Sequence, residues 1–491
     1  MRRFLIGALL AAAGVFVTPA AAWAHAELLS STPGYGDHLP TAPAEIRLEF
    51  SGAMDLTGSR LTLQHKGGKT EALGHPALAS PDRRVVAVPL PPKLGDGGYS
   101  LVWFFLGNDG HLMGGDIEFA VGRAAPEGSA TVAASAGRVE PTAKVRSLGD
   151  GIAGPAIELQ ASTAPAPAPK RARFTIAVAT PQAAVRFLDY ASLATLIGGG
   201  AFLALVWTDG TRERRAQQLL WWALLGSAGA TLLSFGLTAA GLRGVGALDA
   251  LRPSVMSAVL GTRFSRIITA RAGFLALGFV ALALLTLGRD RAVSSRWWQG
   301  LAGVAAGGVL VTHALLGHAS SEGLLARVAV LVHIAGVSVW LGGLIFLVVV
   351  VLPRRRPDEV RVLLPRFSSL AFTAVAAMVV AGAVMVTRVV PRLSALPQTG
   401  YGRMLLLKLA FVALLLVAAQ QARTFTERRL VKDSTRLRPL LTAVGVELTL
   451  AIVILSSTAV LVGRVPPTTR TNRTAAPIVT APIVTAPKGP G

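Results

Sequence analysis

The sequence predicts an N-terminal all-β sandwich followed by an all-α membrane bundle of about eight helices. Two observations support this division. Residues 25–122 contain short runs in which apolar and polar residues alternate, separated by turn-forming Gly, Pro and Asn residues. Beyond residue 180 the chain contains several apolar runs longer than about 18 residues, the length that a helix needs to cross a bilayer. The two parts therefore differ in hydrophobic pattern.

The composition excludes several classes of protein. The 491 residues are 52% hydrophobic, carry a formal net charge of +22 and include no cysteine. Without cysteine, the chain has no disulfide framework, thiolate metal site or cysteine nucleophile. Most of the excess arginine lies in short loops between apolar runs, which is typical of a membrane protein and not of a nucleic-acid-binding surface. We therefore expect a lipid bilayer as the environment and no nucleic acid partner.

Residues 1–24 have the pattern of a secretory signal peptide. Two arginines precede an apolar core at 4–17, and Ala-Trp-Ala at 22–24 fits the small-x-small rule for cleavage. Cleavage there makes His25 the first residue of the mature chain. Its α-amino group and imidazole can then chelate a Cu(II) ion, because both are nitrogen ligands that suit this metal. The alternative is that His25 is an accident of processing.

The alternating runs predict a Greek-key sandwich, immunoglobulin-like or cupredoxin-like, over 25–122. Residues 99–106 are apolar on both faces, which predicts a central strand. The alternating apolar positions of the other strands are Ile46, Leu48, Phe50, Leu61, Leu63, Val86, Val88, Leu90, Ile117, Phe119 and Val121.

A candidate metal-binding turn follows the predicted central strand. Asp109 and His111 are two residues apart, so an extended backbone points both side chains to one side, and Gly110 lets the chain turn between them. Together with His25 they supply two imidazoles, one carboxylate and one amine, a ligand set that suits Cu(II). The alternative, which the motif taken alone favours, is that Asp-Gly-His is only a turn.

The N-terminal part resembles CopC, a family of periplasmic copper-binding proteins. The resemblance rests on the motifs His-Ala-Glu-Leu at 25–28, Ser-Thr-Pro at 31–33, Arg-Leu-Glu-Phe-Ser at 47–51, and Asp109-Gly110-His111 with Gly115 and Phe119. It implies that His25, Asp109 and His111 bind Cu(II). Some members add a methionine-rich loop for Cu(I). Only Met54 and Met113 occur here, so we do not expect a Cu(I) site in this part.

The segments around the predicted bundle are rich in Ala, Pro and Thr. Residues 123–180 read as a flexible linker, and residues 463–491 as a disordered tail. Between them, within 183–462, hydropathy predicts eight membrane helices at 183–207, 219–241, 264–287, 300–317, 328–352, 367–389, 404–424 and 441–462.

Loop charges predict the orientation of the bundle. The loops after the first, third, fifth and seventh helices hold 17 Lys and Arg residues, whereas the opposite loops hold 7. Cytoplasmic loops are the basic ones. We therefore expect a multi-pass protein of the bacterial inner membrane with the N-terminal domain and the C-terminus on the periplasmic side.

Three histidines lie in or near two adjacent predicted helices: His313, His318 and His333. Ionisable groups inside apolar helices are costly, so they are candidates for function. We interpret them as a membrane port for copper, in the Cu(I) or Cu(II) state; the alternative is that they are hydrogen-bonded packing residues. Met385 and Met404 fall at a similar predicted depth, either as thioether ligands for Cu(I) or as apolar filling.

Other polar residues share the predicted bundle. Asp189, Arg271 and Lys408 lie about two turns from the periplasmic helix ends, and Glu447 lies nearer the cytoplasmic side. Pairing or snorkelling explains them without a role in transport, whereas a gate, a proton path or an exit path is the functional alternative.

The membrane part resembles CopD, the inner-membrane partner of CopC. The resemblance rests on Gly317-His318-Ala319, His333 with Trp340-Leu341-Gly342-Gly343, Arg366-Phe367-Ser368, and Tyr401-Gly402 followed by Lys408. It implies copper transport into the cytoplasm, for copper homeostasis or resistance. The chain contains no Walker A motif, which argues against ATP-driven pumping.

From the two resemblances we expect a copper-binding transporter and not an enzyme, with copper, the bilayer and periplasmic copper carriers as partners. Two alternatives stay open. The membrane part would merely anchor a copper-sequestering domain, or His313 or His318 would join His333 as axial ligands of a haem in a membrane oxidoreductase.

Overall fold

A computed structural model of the chain describes part of its length. The described residues are 28–107 without 67, 69 and 72, then 112–122, 175–287, 295–316, 323–389 without 355, 394, 396–397, 400–425 and 437–462. The predicted signal peptide, His25, Asp109, His111, His318, most of the predicted linker and the predicted tail lie outside these residues.

Residues 28–122 form a sandwich of two sheets, here called the β domain. One sheet has the strand order β1-β3-β7-β6 and the other has β2-β9-β8-β4-β5, with only β2 and β9 parallel among the described pairs. The prediction of a sandwich is confirmed. The strands are β1 Leu28–Thr32, β2 Asp37–Leu39, β3 Glu45–Phe50, β4 Met54–His65, β5 Thr70–Glu71, β6 Ala77–Leu78, β7 Val85–Pro89, β8 Gly97–Gly107 and β9 Leu112–Val121.

The core of the β domain forms because apolar residues alternate along the strands. Ile46, Leu48 and Phe50 on β3 are fully buried, while the residues between them point to solvent. The Phe50 ring packs edge-on against Trp103, with centroids 5.3 Å apart. Met54, like Met113, is buried in the sandwich, so both sulfurs lie away from solvent.

Eight long helices follow, as predicted. Seven described segments are long and apolar enough to cross a membrane, and α6 matches the remaining predicted span. The first helix begins at Thr175, inside the predicted linker, because residues 175–180 contain no Gly or Pro to stop it. The helices are α1 Thr175–Leu193, α2 Gly199–Leu205, α3 Arg214–Arg243, the short α4 Pro253–Met256, α5 Arg263–Leu287, α6 Arg296–Leu315, α7 Leu324–Phe346, α8 Pro357–Val389, α9 Gly400–Phe425 and α10 Leu437–Leu461.

The first and fifth long helices contain π turns. Ala194–Gly198 joins α1 to α2 as one span, and Leu347–Val351 extends α7. These two spans cross closely, since a Cβ built on Gly342 would lie 2.7 Å from the Cα of Gly198. Glycine at such a crossing lets two helix backbones approach. The crossing lies in the main core of the bundle, which includes Ala194 and Leu341.

Candidate functional site

The β domain packs directly on one end of the helical bundle. Phe104 and Leu106 on β8 point away from the sandwich core and join a separate apolar cluster with Leu237, Leu242 and Val259 of the bundle. This contact explains why the central strand is apolar on both faces. One face fills the sandwich, and the other covers the helix ends. We call this end of the bundle the β-domain side.

An irregular stretch of β4 fits between two helix termini. The carboxylate of Asp55 accepts a hydrogen bond of 2.9 Å from the backbone N–H of Arg263, the first residue of α5. The guanidinium of Arg60 donates to the carbonyl of Arg243, the last residue of α3. A negative group at a helix N-terminus and a positive group at a C-terminus both complement the helix dipole.

Between these two contacts the backbone of β4 comes very close to the bundle. Gly58 has φ of +76°, and a Cβ built there would lie 2.5 Å from the carbonyl oxygen of Ala258. A side chain at this position would therefore be strained and would collide with backbone. The β domain thus docks in one orientation, through capping contacts and close backbone packing.

This orientation places one end of the sandwich against the bundle. Leu28 pairs with Phe50 in one sheet, and Met54 pairs with Gly107 in the other. The start of β1 and the end of β8 therefore lie at the same end, because only residues 51–53 separate β3 from β4. In the chain, His25 precedes Leu28 by three residues, and Asp109 and His111 lie between β8 and β9; these predicted ligands lie outside the described residues.

The end of α6 lies in the same apolar cluster. Leu316, which follows α6, packs in the cluster that holds Leu106 and Leu112, the residues that pair across the ends of β8 and β9. The side chain of Arg263 donates a hydrogen bond of 3.3 Å to the carbonyl of Leu315. The predicted ligand His318 follows Leu316 by two residues in the chain and lies outside the described residues.

His313 lies inside the bundle with an oxygen atom close to each ring nitrogen. Its Nε2 is 3.0 Å from the carboxylate of Asp189, and its Nδ1 is 3.1 Å from the carbonyl of Val309. The same carboxylate pairs with Arg271 and accepts a 3.3 Å hydrogen bond from Ser227. In this arrangement each ring nitrogen of His313 faces an oxygen atom, so a metal ion could reach either nitrogen only by displacing one of these contacts.

His333 is arranged differently. Its Nδ1 lies 3.0 Å from the carbonyl oxygen of Met378 on α8. A carbonyl only accepts hydrogen bonds, so Nδ1 carries the hydrogen, and the neutral ring has its lone pair on Nε2. Within the described part of the chain, Nε2 has no hydrogen-bond partner. His333 therefore has the tautomer that a metal ligand needs, fixed by a hydrogen bond from its other nitrogen.

The remaining membrane candidates lie in apolar surroundings. Met404 packs against a small cluster of Leu396, Leu405 and Leu461, and Met385 is half-buried on α8. Among the residues that the structure describes, no group of three or more His, Asp or Glu side chains is arranged to hold a metal ion. Four of the six predicted nitrogen and carboxylate ligands lie outside those residues, namely His25, Asp109, His111 and His318.

Sequence reasoning missed the contacts that connect these parts. Asp189 and Arg271 were expected to pair or snorkel, and they pair, but their contact with His313 was not foreseen. The contacts of Asp55, Arg60 and Arg263 were not predicted, because no local pattern marks a contact between a strand and a helix terminus. The only available signal was the apolar outer face of residues 99–106, which needs a partner to cover it.

Models of three families match this chain. The CopC domain matches residues 28–122, the N-terminal domain of copper resistance protein D-like proteins matches 177–328, and copper resistance protein D matches 361–461. The three matches follow the division into β domain and helical bundle.

Individual proteins are also similar. The copper transport protein CutJ of Bacillus subtilis (strain 168) is 24% identical over 408 residues, which is 81% of this chain and 68% of CutJ. The crystal structure of CopC from Methylosinus trichosporium OB3b matches with 26% identity and a TM-score of 0.19, over 20% of this chain and 93% of that one. PcoC, a methionine-rich copper resistance protein from Escherichia coli, matches with 28% identity and a TM-score of 0.18, over 20% and 99%.

Proposed function

Because this chain is a fusion of a CopC-like domain with a CopD-like membrane region, we propose that it binds copper in the periplasm and moves it across the inner membrane into the cytoplasm. The transport would serve copper homeostasis or resistance. The name of the relative CutJ, a copper transport protein, supports the same activity. Copper is the cargo here, so the histidines act as transient ligands along a path.

The observation that carries the proposal is the shared apolar cluster on the β-domain side. In the chain, Leu106 and Leu112 flank the segment with Asp109 and His111, and Leu316 precedes the segment with His318. A Cu(II) ion held by His25, Asp109 and His111 would thus be released beside the membrane port. A fixed donor next to a port raises the local concentration of the ion there.

The two membrane histidines that the structure describes support different roles. His333 keeps a lone pair on Nε2, so we assign it, with His318, to the port. His313 would bind copper through Nε2 only after giving up its contact with Asp189, so its ligation would depend on a rearrangement of that contact. Met385 and Met404 are half-buried and remain candidate ligands for Cu(I) on the β-domain side.

Copper uptake by sealed vesicles of known orientation tests the proposal. Vesicles with the full chain inserted β domain outward should accumulate copper in the lumen, and vesicles without protein should not. Copper that stays on the outer surface and is stripped by a membrane-impermeant chelator would contradict transport and favour an anchored sequestering protein.

A visible spectrum of the protein purified from its native membrane tests the haem alternative. We expect no Soret band. For the pair His313 and His333, Nε2 of His313 already lies 3.0 Å from the carboxylate of Asp189, and the same spectrum tests the pair His318 and His333. A Soret band that disappears in a His333→Ala variant would support the oxidoreductase instead.

A further inference from the structure

An apolar groove runs along the outside of the bundle between α3 and α5. It encloses about 470 Å³ and is bounded by exposed leucine and phenylalanine side chains above a buried floor. The floor consists of Leu224, Thr231, Ile268 and Leu275, and the walls include Leu225 and Phe279.

The groove presents hydrocarbon to its occupant. The hydroxyl of Thr231 is used inside its own helix, where it donates a 2.7 Å hydrogen bond to the carbonyl of Ser227. Along α3 the groove extends from Leu224 to Phe235, about 16 Å at the rise of an α-helix. This length is close to one leaflet of a hydrocarbon core about 30 Å thick.

A basic residue stands at one end of the groove. Arg266 is exposed and lies one turn before Thr269, a groove residue on the same face of α5. Within the described residues, its guanidinium has no ion pair or hydrogen bond. Arg266 is also three residues from Arg263, which contacts the β domain, so it lies near the membrane boundary on the β-domain side.

We propose that this groove binds a phospholipid, with one acyl chain between α3 and α5 and the phosphate paired with Arg266. A phospholipid has a charged phosphate at one end of an acyl chain about as long as one leaflet. The groove likewise has Arg266 at one end and apolar residues along its length. A second copy of this chain would have to present an acidic residue to Arg266. The proposal does not depend on the transport of copper.

The bound acyl chain would cover the bundle next to the buried ion pair of Asp189 and Arg271. Ser227 and Arg271, which contact Asp189, lie one turn from the groove residues Thr231 and Leu275. A filled groove keeps water and mobile lipid tails away from these charges, whose pairing is strongest in dry surroundings.

Native mass spectrometry of the full chain in detergent, titrated with phosphatidylglycerol, tests the proposal. We expect one retained lipid for each chain. Arg266→Gln should weaken retention about tenfold through loss of a charge-assisted pair, and Ala228→Leu, which fills the groove, should weaken it similarly. Arg403→Gln and Ala410→Leu change exposed residues of the same types on α9 and should leave retention unchanged.

Three results would overturn the proposal. Equal retention by all four variants would show that lipid binds elsewhere. Equal binding of glycerol phosphate, which has no acyl chain, would show an anion site without a lipid groove. A dimer of the unaltered chain that Arg266→Gln and Ala228→Leu both dissociate would show that a second copy occupies the groove.

Discussion

The two membrane histidines that the structure describes differ in the contacts of their ring nitrogens. His313 is 9% exposed and is engaged at both nitrogens, whereas His333 is half-buried and engaged only at Nδ1 among the described residues. Both occur on apolar helices, so their sequence surroundings do not distinguish them. The partner of each ring nitrogen decides which histidine offers a lone pair.

Replacement of His333 should abolish copper accumulation and leave capture intact. His333→Ala removes the Nε2 lone pair, and we expect copper in cells to fall to the level of cells without the protein. Cu(II) binding by residues 25–122 should not change. His75→Ala is the control, because it removes an exposed histidine of the β domain. Full accumulation by His333→Ala at normal membrane abundance would contradict the port, as would rescue by His333→Gln, which restores only hydrogen bonding.

Extension of the mature N-terminus should weaken Cu(II) binding by the β domain. One residue added before His25 moves the α-amino group away from the imidazole. We expect the affinity to fall by about two orders of magnitude, since a tethered second ligand acts at high effective concentration. Isothermal titration of residues 25–122 measures this, with one residue added after 122 as the control. An unchanged affinity would show that the amine is not a ligand.

At the scale of elements, the irregular stretch of β4 joins the two parts of the protein. Asp55 is 6% exposed and caps α5, while Arg60 caps α3. These contacts are made between elements and not within them. The contacts of β4 with two helix termini therefore help to fix the orientation of the β domain on the bundle.

Loss of the Asp55 carboxylate should loosen this contact. Removal of an N-cap costs about 1 kcal/mol, so Asp55→Ala should speed hydrogen exchange at the first amides of α5 about fivefold. Asp82→Ala is a suitable control, because Asp82 is exposed and its carboxylate bonds only within its own turn among the described residues. Exchange at α5 that is equal in the two variants would contradict the capping role.

At the scale of the whole molecule, the eight long helices of the described residues predict that the chain enters and leaves the bundle on the same side of the membrane. The β domain contacts the ends of α3 and α5 that face each other across residues 244–262. The described loops on the other side of the bundle carry the basic residues Arg212, Arg354 and Arg356. Arg354 there pairs with Glu213 at 2.8 Å and so links two of these loops.

Reporter fusions test this topology. Fusions within 208–218, 288–299, 353–366 and 423–440 should report the cytoplasm, because basic loops stay inside. A fusion after residue 462 should report the periplasm. A fusion within 244–262 serves as the control for the periplasmic side, and a cytoplasmic C-terminus would contradict an even number of spans.

The sequence by itself determined the class of each part and its candidate ligands. Alternating residues such as Ile46, Leu48 and Phe50 specify a half-buried strand, and the length of an apolar run specifies a membrane helix, because both signals depend only on local period and length. The choice of His25, Asp109 and His111 likewise rests on local order and resemblance, and it stays a prediction.

Only the tertiary structure decided which distant groups meet. Asp55 meets Arg263 across 208 residues, Asp189 meets His313 across 124, and His333 meets Met378 across 45. No local period encodes such contacts, since they depend on how finished elements pack against one another. Packing therefore decides the tautomer of His333, the contacts of the His313 nitrogens and the docking of the β domain on the bundle. The strands and helices themselves are specified by the order of residues along the chain.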